Sequence, residues 1–266
     1  MPDIYATITD ADTATQARLA DVIELRAADP QQRAMLERYT AELDLAPESR
    51  ALEIGCGTGA ISRFLATLPG ADTVVGVDPS MIFIERAEEL ADDDALKYLI
   101  GDGRELAFDD GSFDAVVCHT TLCHVPGCER VVAEAHRVLR PGGQLAVFDG
   151  DYATTTVAVG KHDPLQACAD AAMAALVHDP WLMRRIAAVL ARAGFEASRP
   201  CGHSYIQTTA PDYMLTIVER GADALTNEAK LSAASAHALK VEARARVDAG
   251  TAFGHIAYVS VVARRP

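Results

Sequence analysis

The stretch Leu52-Glu53-Ile54-Gly55-Cys56-Gly57-Thr58-Gly59 constrains this chain more than any other. A short apolar run, residues 51–54, ends on three glycines at alternate positions, and a helical pattern, residues 60–65, follows at once. That is a strand, a tight turn and a helix start. Glycine lacks Cβ and adopts φ > 0 freely, so such a turn can pass close to a ligand. The amides of the turn and of the helix N-terminus favour a negatively charged group. The expected fold is therefore an α/β sheet holding a nucleotide-like ligand at its first strand. Gly55-x-Gly57-x-x-Ala60 also fits the dinucleotide fingerprint. Against that reading stand Glu53, the third glycine in Gly57-x-Gly59, and the long segment before the motif.

The downstream pattern decides between them. A second strand, residues 73–77, ends at Asp78 and is followed by Pro79-Ser80-Met81. A carboxylate at that place can accept from both hydroxyls of a ribose. A third strand, residues 96–100, ends at Gly101-Asp102-Gly103-Arg104, where a carboxylate can accept from an exocyclic amine. A fourth, residues 114–118, runs into His119-Thr120-Thr121-Leu122-Cys123-His124-Val125. A helix over 129–139 is stopped by Arg140-Pro141-Gly142-Gly143. A fifth strand, residues 144–148, ends in Asp149-Gly150-Asp151-Tyr152.

With these segments in this order, the chain resembles the class I S-adenosylmethionine-dependent methyltransferases. The likeness is to the small-molecule branch that includes the ubiquinone/menaquinone methylases (methyltransferase type 11). It rests on the glycine motif, Val77-Asp78-Pro79-Ser80-Met81, Gly101-Asp102-Gly103, Phe113-Asp114-Ala115-Val116-Val117 and Arg137-Val138-Leu139-Arg140-Pro141-Gly142-Gly143, within residues 45–150. The resemblance implies a Rossmann-like α/β fold with a seven-stranded, mostly parallel sheet. Its last strand is antiparallel, and helices cover both faces. It also implies S-adenosylmethionine as cofactor and S-adenosylhomocysteine as product.

Residue by residue, the resemblance assigns Glu53 to the glycine loop or the methionine amine. Gly55, Cys56, Gly57 and Gly59 admit the methionine part, and Asp78 takes the ribose. Pro79 and Met81 meet the adenine face, while Gly101, Asp102 and Gly103 meet its edge. Cys118 offers its backbone to the amine. Tyr5 and Arg26 are candidate lid contacts. His119 and His124 follow the fourth strand, where the family places residues facing the methyl group, and a neutral imidazole there suits proton removal near pH 7. Asp149, Asp151, Tyr152 and Trp181, with His178, are candidates for the acceptor side.

Outside the motifs, apolar residues at helical spacing predict helices over 13–28 and 31–44, broken by Asp29-Pro30. Residues 1–45 are read as an N-terminal helical lid and 46–266 as the methyltransferase domain. Further helices are expected over 163–178, 179–193 and most of 211–249, with strands over 195–208 and 255–262. Helical cap insertions are expected at 151–180 and 209–250, the second interrupting the final hairpin that similar folds close directly.

With 50% hydrophobic residues among 266, the chain can build a sizeable core. A net charge of −14 disfavours nucleic acid and anionic membranes as partners. No stretch approaches ~18 apolar residues, so no membrane span is expected. The N-terminal residues show neither a basic region nor an apolar run. The six cysteines form no C-x-x-C pair and match no zinc spacing, so reduced thiols in a cytoplasm and no metal are expected. The expected function is methyl transfer to O, N or C of a small metabolite by a monomer or homodimer. The alternative is a cofactor-binding protein of the same fold with a cyclase, isomerase or regulatory role.

Overall fold

The computed structural model describes residues 3–197, 199–208 and 212–266. Apolar, β-branched runs form the centre of one sheet: β1 (Ser49–Ile54), β2 (Ala71–Asp78), β3 (Leu96–Ile100), β4 (Phe113–His119) and β5 (Leu139–Thr156). All pair in parallel. The edge is completed by β6 (Glu196–Ala197), β7 (Cys201–Gln207) and β8 (Gly254–Arg264). The order is β3-β2-β1-β4-β5-β8-β6, with β7 also on β8. Only β8 opposes the rest, being antiparallel to β5, β6 and β7.

The described residues thus hold eight strands where seven were expected. The reason is local. β6 and β7 lie on the same side of β8, at Arg264 and Ser260 respectively, and amount to one edge strand broken in two. Pro200 lies in the break, and proline has no N–H for the ladder. Ser198, inside the expected strand, falls outside the described residues. β5 is longer than expected at both ends: the chain enters it directly after α5 (Cys128–Val138), with a register shift between Phe113 and Ala115, and it continues past residue 148 to Thr156 because β8 pairs with it there.

The helices start where their capping residues direct. The Asp12 carboxylate accepts from Thr15 N at the head of α1 (Thr13–Ala27). Asp29 caps α2 (Pro30–Thr40), with Pro30 inside the first turn rather than before it. α2 stops short of the expected residue 44. α3 (Ala60–Ala66) leaves the glycine turn, and α4 (Met81–Leu90) is capped by Ser80. Instead of one helix over 179–193 there is a 3-10 turn, Leu182–Arg184, and then α7 (Ile186–Arg192). α6 (Leu165–Leu176), α8 (Asp212–Asn227) and α9 (Ala233–Asp248) pack together beyond the end of β5. α8 and α9 interrupt the β7–β8 hairpin, as the sequence pattern predicts. A parallel sheet binds ligands where its strand order reverses. Here that point lies between β1 and β4, at their C-terminal ends.

Candidate active site

β1 ends in the glycine turn. Gly55 (φ +73) and Gly59 (φ +76) are left-handed. A Cβ on Gly55 would stand 2.3 Å from Thr121 Cγ2, and one on Gly59 would stand 2.4 Å from the Tyr98 hydroxyl. Backbone shape and crowding therefore both demand glycine. The floor of the turn is tied to β2. Gly57 N donates to Asp78 Oδ2 (2.9 Å), and Ser80 N donates to Oδ1 (2.9 Å). Each carboxylate oxygen keeps a further lone pair. Burial raises Asp78 to about 6, against the two backbone donors that favour its charge. Glu53, one strand away, is buried and accepts from the Ser62 hydroxyl (2.5 Å). Burial pushes it up to about 8.

A cleft of about 990 Å³, open solvent at its mouth included, lies over this floor. Its far wall is α1 and the segment before it. One helix is latched to three parts of the site. The Ser80 hydroxyl donates to Gln16 (2.7 Å). Glu24 accepts from Thr58 (2.5 Å) and pairs with Arg63 (2.9 Å). Arg26 donates to the Thr120 hydroxyl (2.6 Å). Ile23 covers Gly57.

The segment after β4 brings both histidines to the cleft. His119 is buried and stacks on Phe148, ring centroids 4.7 Å apart. Its Nδ1 lies 2.9 Å from the Tyr39 hydroxyl. Burial holds it well below the usual imidazole range, so it is neutral. His124 is oriented differently. Its Nδ1 meets Asp3 Oδ2 at 2.8 Å, and the Asp3 carboxylate also accepts from His178 N and Tyr5 N. An ionised carboxylate only accepts, so His124 Nδ1 donates to Asp3.

Tyr5, Ile23, Arg26 and His124 also line a second cavity. Its remaining walls come from Val22 on α1, Tyr152 on β5, Met173 and Leu176 on α6, Val177 just after it, and Tyr213, Ile217 and Arg220 on α8.

Glu53, Gly55, Cys56, Gly57, Asp78, Pro79, His119, His124, Tyr5 and Arg26 therefore share one cleft. Other residues singled out in the sequence lie elsewhere. Met81 is 58% exposed, because Ser80 caps α4 and turns Phe83, three residues on, into the cleft. The half-exposed Asp102 is folded onto Arg104, 2.7 Å away, and neither it nor Gly101 and Gly103 lines the cleft. Gly59 caps α3, and the Cys118 side chain is in the core. Asp149 is buried and accepts from Cys123 N (3.1 Å), fixing the segment after β4. Asp151 pairs with Arg184 (2.8 Å). Tyr152 belongs to the second cavity, whereas Trp181 is 50% exposed, beneath Arg184.

Sequence reasoning did not single out Asp3, Gln16, Glu24 or Thr120, whose partners are remote in the chain. Phe83 alone had a local signal, its spacing from the capping Ser80. Among the described residues no three His, Cys, Asp or Glu side chains could hold a metal ion.

Residues 52–147 match the family model described as a methyltransferase domain. The 27-O-demethylrifamycin SV methyltransferase of Amycolatopsis mediterranei is 35% identical over 151 residues, 55% of this chain and 48% of that protein. The ubiquinone biosynthesis O-methyltransferase of Xanthomonas oryzae pv. oryzae is 35% identical over 111 residues, 41% of this chain and 46% of that protein. The YcgJ protein of Bacillus subtilis shares the fold, with a TM-score of 0.60 at 17% identity over 88% of this chain and 98% of that one. The chain spans less than half the length of the curated relatives it matches, between 31% and 48%.

Proposed function

We propose that this chain, which belongs to the class I S-adenosylmethionine-dependent methyltransferases, transfers a methyl group to an oxygen, nitrogen or carbon of a small molecule. One observation carries the reading. A glycine cradle with a buried carboxylate at its floor shares Tyr5, Ile23, Arg26 and His124 with a second, aromatic cavity.

The cradle suits the cofactor. Glycine at positions 55 and 57 leaves the approach open, and Asp78 has lone pairs to spare for two ribose hydroxyls. Pro79, Phe83 and Ile8 supply an apolar wall for the base. Glu53 would receive the amine, and Arg26, beside Thr120, would receive the carboxylate of the methionine part. S-adenosylmethionine supplies an electrophilic methyl group on sulfur. Residues 1–45 act as a lid: α1 excludes water and holds the acceptor in line, which supplies much of the rate of such a displacement. Residues 157–180 and 212–250 form the acceptor cap; residues 151–156, expected in it, continue β5, and residues 209–211 lie outside the described residues. Where the acceptor loses a proton, His124 Nε2 receives it, with Asp3 holding the ring. The neutral His119 shapes the wall between Tyr39 and Phe148. Among the described residues no helix is long and apolar enough to cross a membrane.

Titration calorimetry with S-adenosylmethionine and S-adenosylhomocysteine tests the cofactor site. Micromolar binding, weakened ~10-fold or more in Asp78→Ala, is expected. Transfer of labelled methyl into a metabolite extract tests the chemistry. Tight cofactor binding with no S-adenosylhomocysteine formed under any acceptor would overturn transfer and favour the cyclase, isomerase or regulatory role.

A further inference from the structure

We propose that the acceptor is an aromatic acid, its ring held in the second cavity and its carboxylate received by Arg220. The inference rests on the methyl-transfer reading and adds the substrate class. Three observations support it.

The first is the wall. Tyr5, Tyr152 and Tyr213 meet Met173 and Ile217 around the cavity. Flat aromatic faces with a polarisable thioether favour a flat ring over a flexible chain. The second is position. Arg220 lines both this cavity and a groove between α1 and α8, so it stands where the inner chamber meets the outer passage. A molecule entering along the groove passes Arg220 before it reaches His124.

The third is charge. Arg220 is half-buried and has no hydrogen-bond or ion-pair partner among the described residues. The carboxylates that line the groove with it are engaged elsewhere. Glu219 pairs with Arg244 and Asp223 with Lys240, both cations being on α9. In a chain with 38 acidic and 24 basic residues, an unmatched guanidinium in a cavity wall is conspicuous. Its planar fork matches a carboxylate in two hydrogen bonds, and partial desolvation strengthens them. An acid anchored there directs its far end toward His124 and the cofactor cleft. Arg26 lies deeper and is engaged with Thr120, on the cofactor side.

The test uses phenolic acids, each paired with its carboxamide: salicylate with salicylamide, and 4-hydroxycinnamate with its amide. Binding is measured by calorimetry on the full chain, with and without S-adenosylhomocysteine. The expected result is an acid bound about tenfold or more tighter than its amide. Arg220→Gln should abolish that difference while S-adenosylhomocysteine still binds. Arg18→Gln, in the same groove, should preserve it. Equal binding of acid and amide, binding of neither, or discrimination that survives Arg220→Gln overturns the proposal. Failure of S-adenosylhomocysteine to bind would instead count against the cofactor reading, and the acid-to-amide ratio is read separately from it.

Discussion

Asp78 and Glu53 are buried on neighbouring strands, and each holds its proton more tightly than a carboxyl in water. Asp78 ionises at about 6, so below that pH one of its oxygens is a donor and cannot accept from a ribose hydroxyl. S-adenosylhomocysteine affinity should therefore rise with pH between 5 and 7, with its inflection near 6. Asp78→Asn should remove the inflection near 6 and weaken binding at pH 7 by ~10-fold or more. Glu53, at about 8, is mostly protonated at pH 7. A cationic amine brought beside it favours the ionised form, so S-adenosylmethionine should release a proton on binding. Titrations in buffers of different ionisation enthalpy would count that proton, and Glu53→Gln should remove it. At this scale the sequence was partly legible. The glycines and Asp78 act through neighbours one strand-helix-strand unit away, so their spacing carries their placement. Asp3 acts on His124 across 121 residues, and no local pattern reports such a pair.

Between elements, the closest approach in the cap is α6 against α8. A Cβ at Gly221 would stand 1.7 Å from the Cys168 carbonyl oxygen. Alanine would favour the α8 helix by about 1 kcal/mol. The overlap is with backbone and cannot be relieved by a rotamer, so the steric term of ~1–3 kcal/mol wins. Gly221→Ala should lower Tm by roughly 2–4 °C per kcal/mol lost. It should also displace Tyr213, Ile217 and Arg220, leaving S-adenosylhomocysteine affinity near the wild-type value while acid binding falls. Thermal scans and paired titrations would check both. Helix content in this region was readable from the spacing of apolar residues, but the contact that locks the helices together was not. A glycine inside a helical pattern reads as a weak spot until its neighbour is known. The break between β6 and β7 was likewise hidden, although Pro200 marked it.

For the whole molecule, the two halves differed in how far they could be read. Residues 52–147 carry their fold in punctuation: strand, glycine turn, capped helix, strand. The sheet order follows from that alternation. The N-terminal helices and the cap contribute faces to cavities, and which face turns inward is settled only by packing. α1 gives residues to both cavities at once, and this has a consequence for traffic. α1, latched to Ser80, Thr58 and Thr120, narrows the cofactor cleft from one side, and the latch is expected to open when the cofactor loads. Closing it again is what completes the wall of the second cavity. The two substrates should then queue, cofactor in first and out last. Product-inhibition kinetics would show it: S-adenosylhomocysteine should compete with S-adenosylmethionine yet remain noncompetitive toward the acceptor, and a random pattern would mean that α1 opens as freely with the cleft full as with it empty.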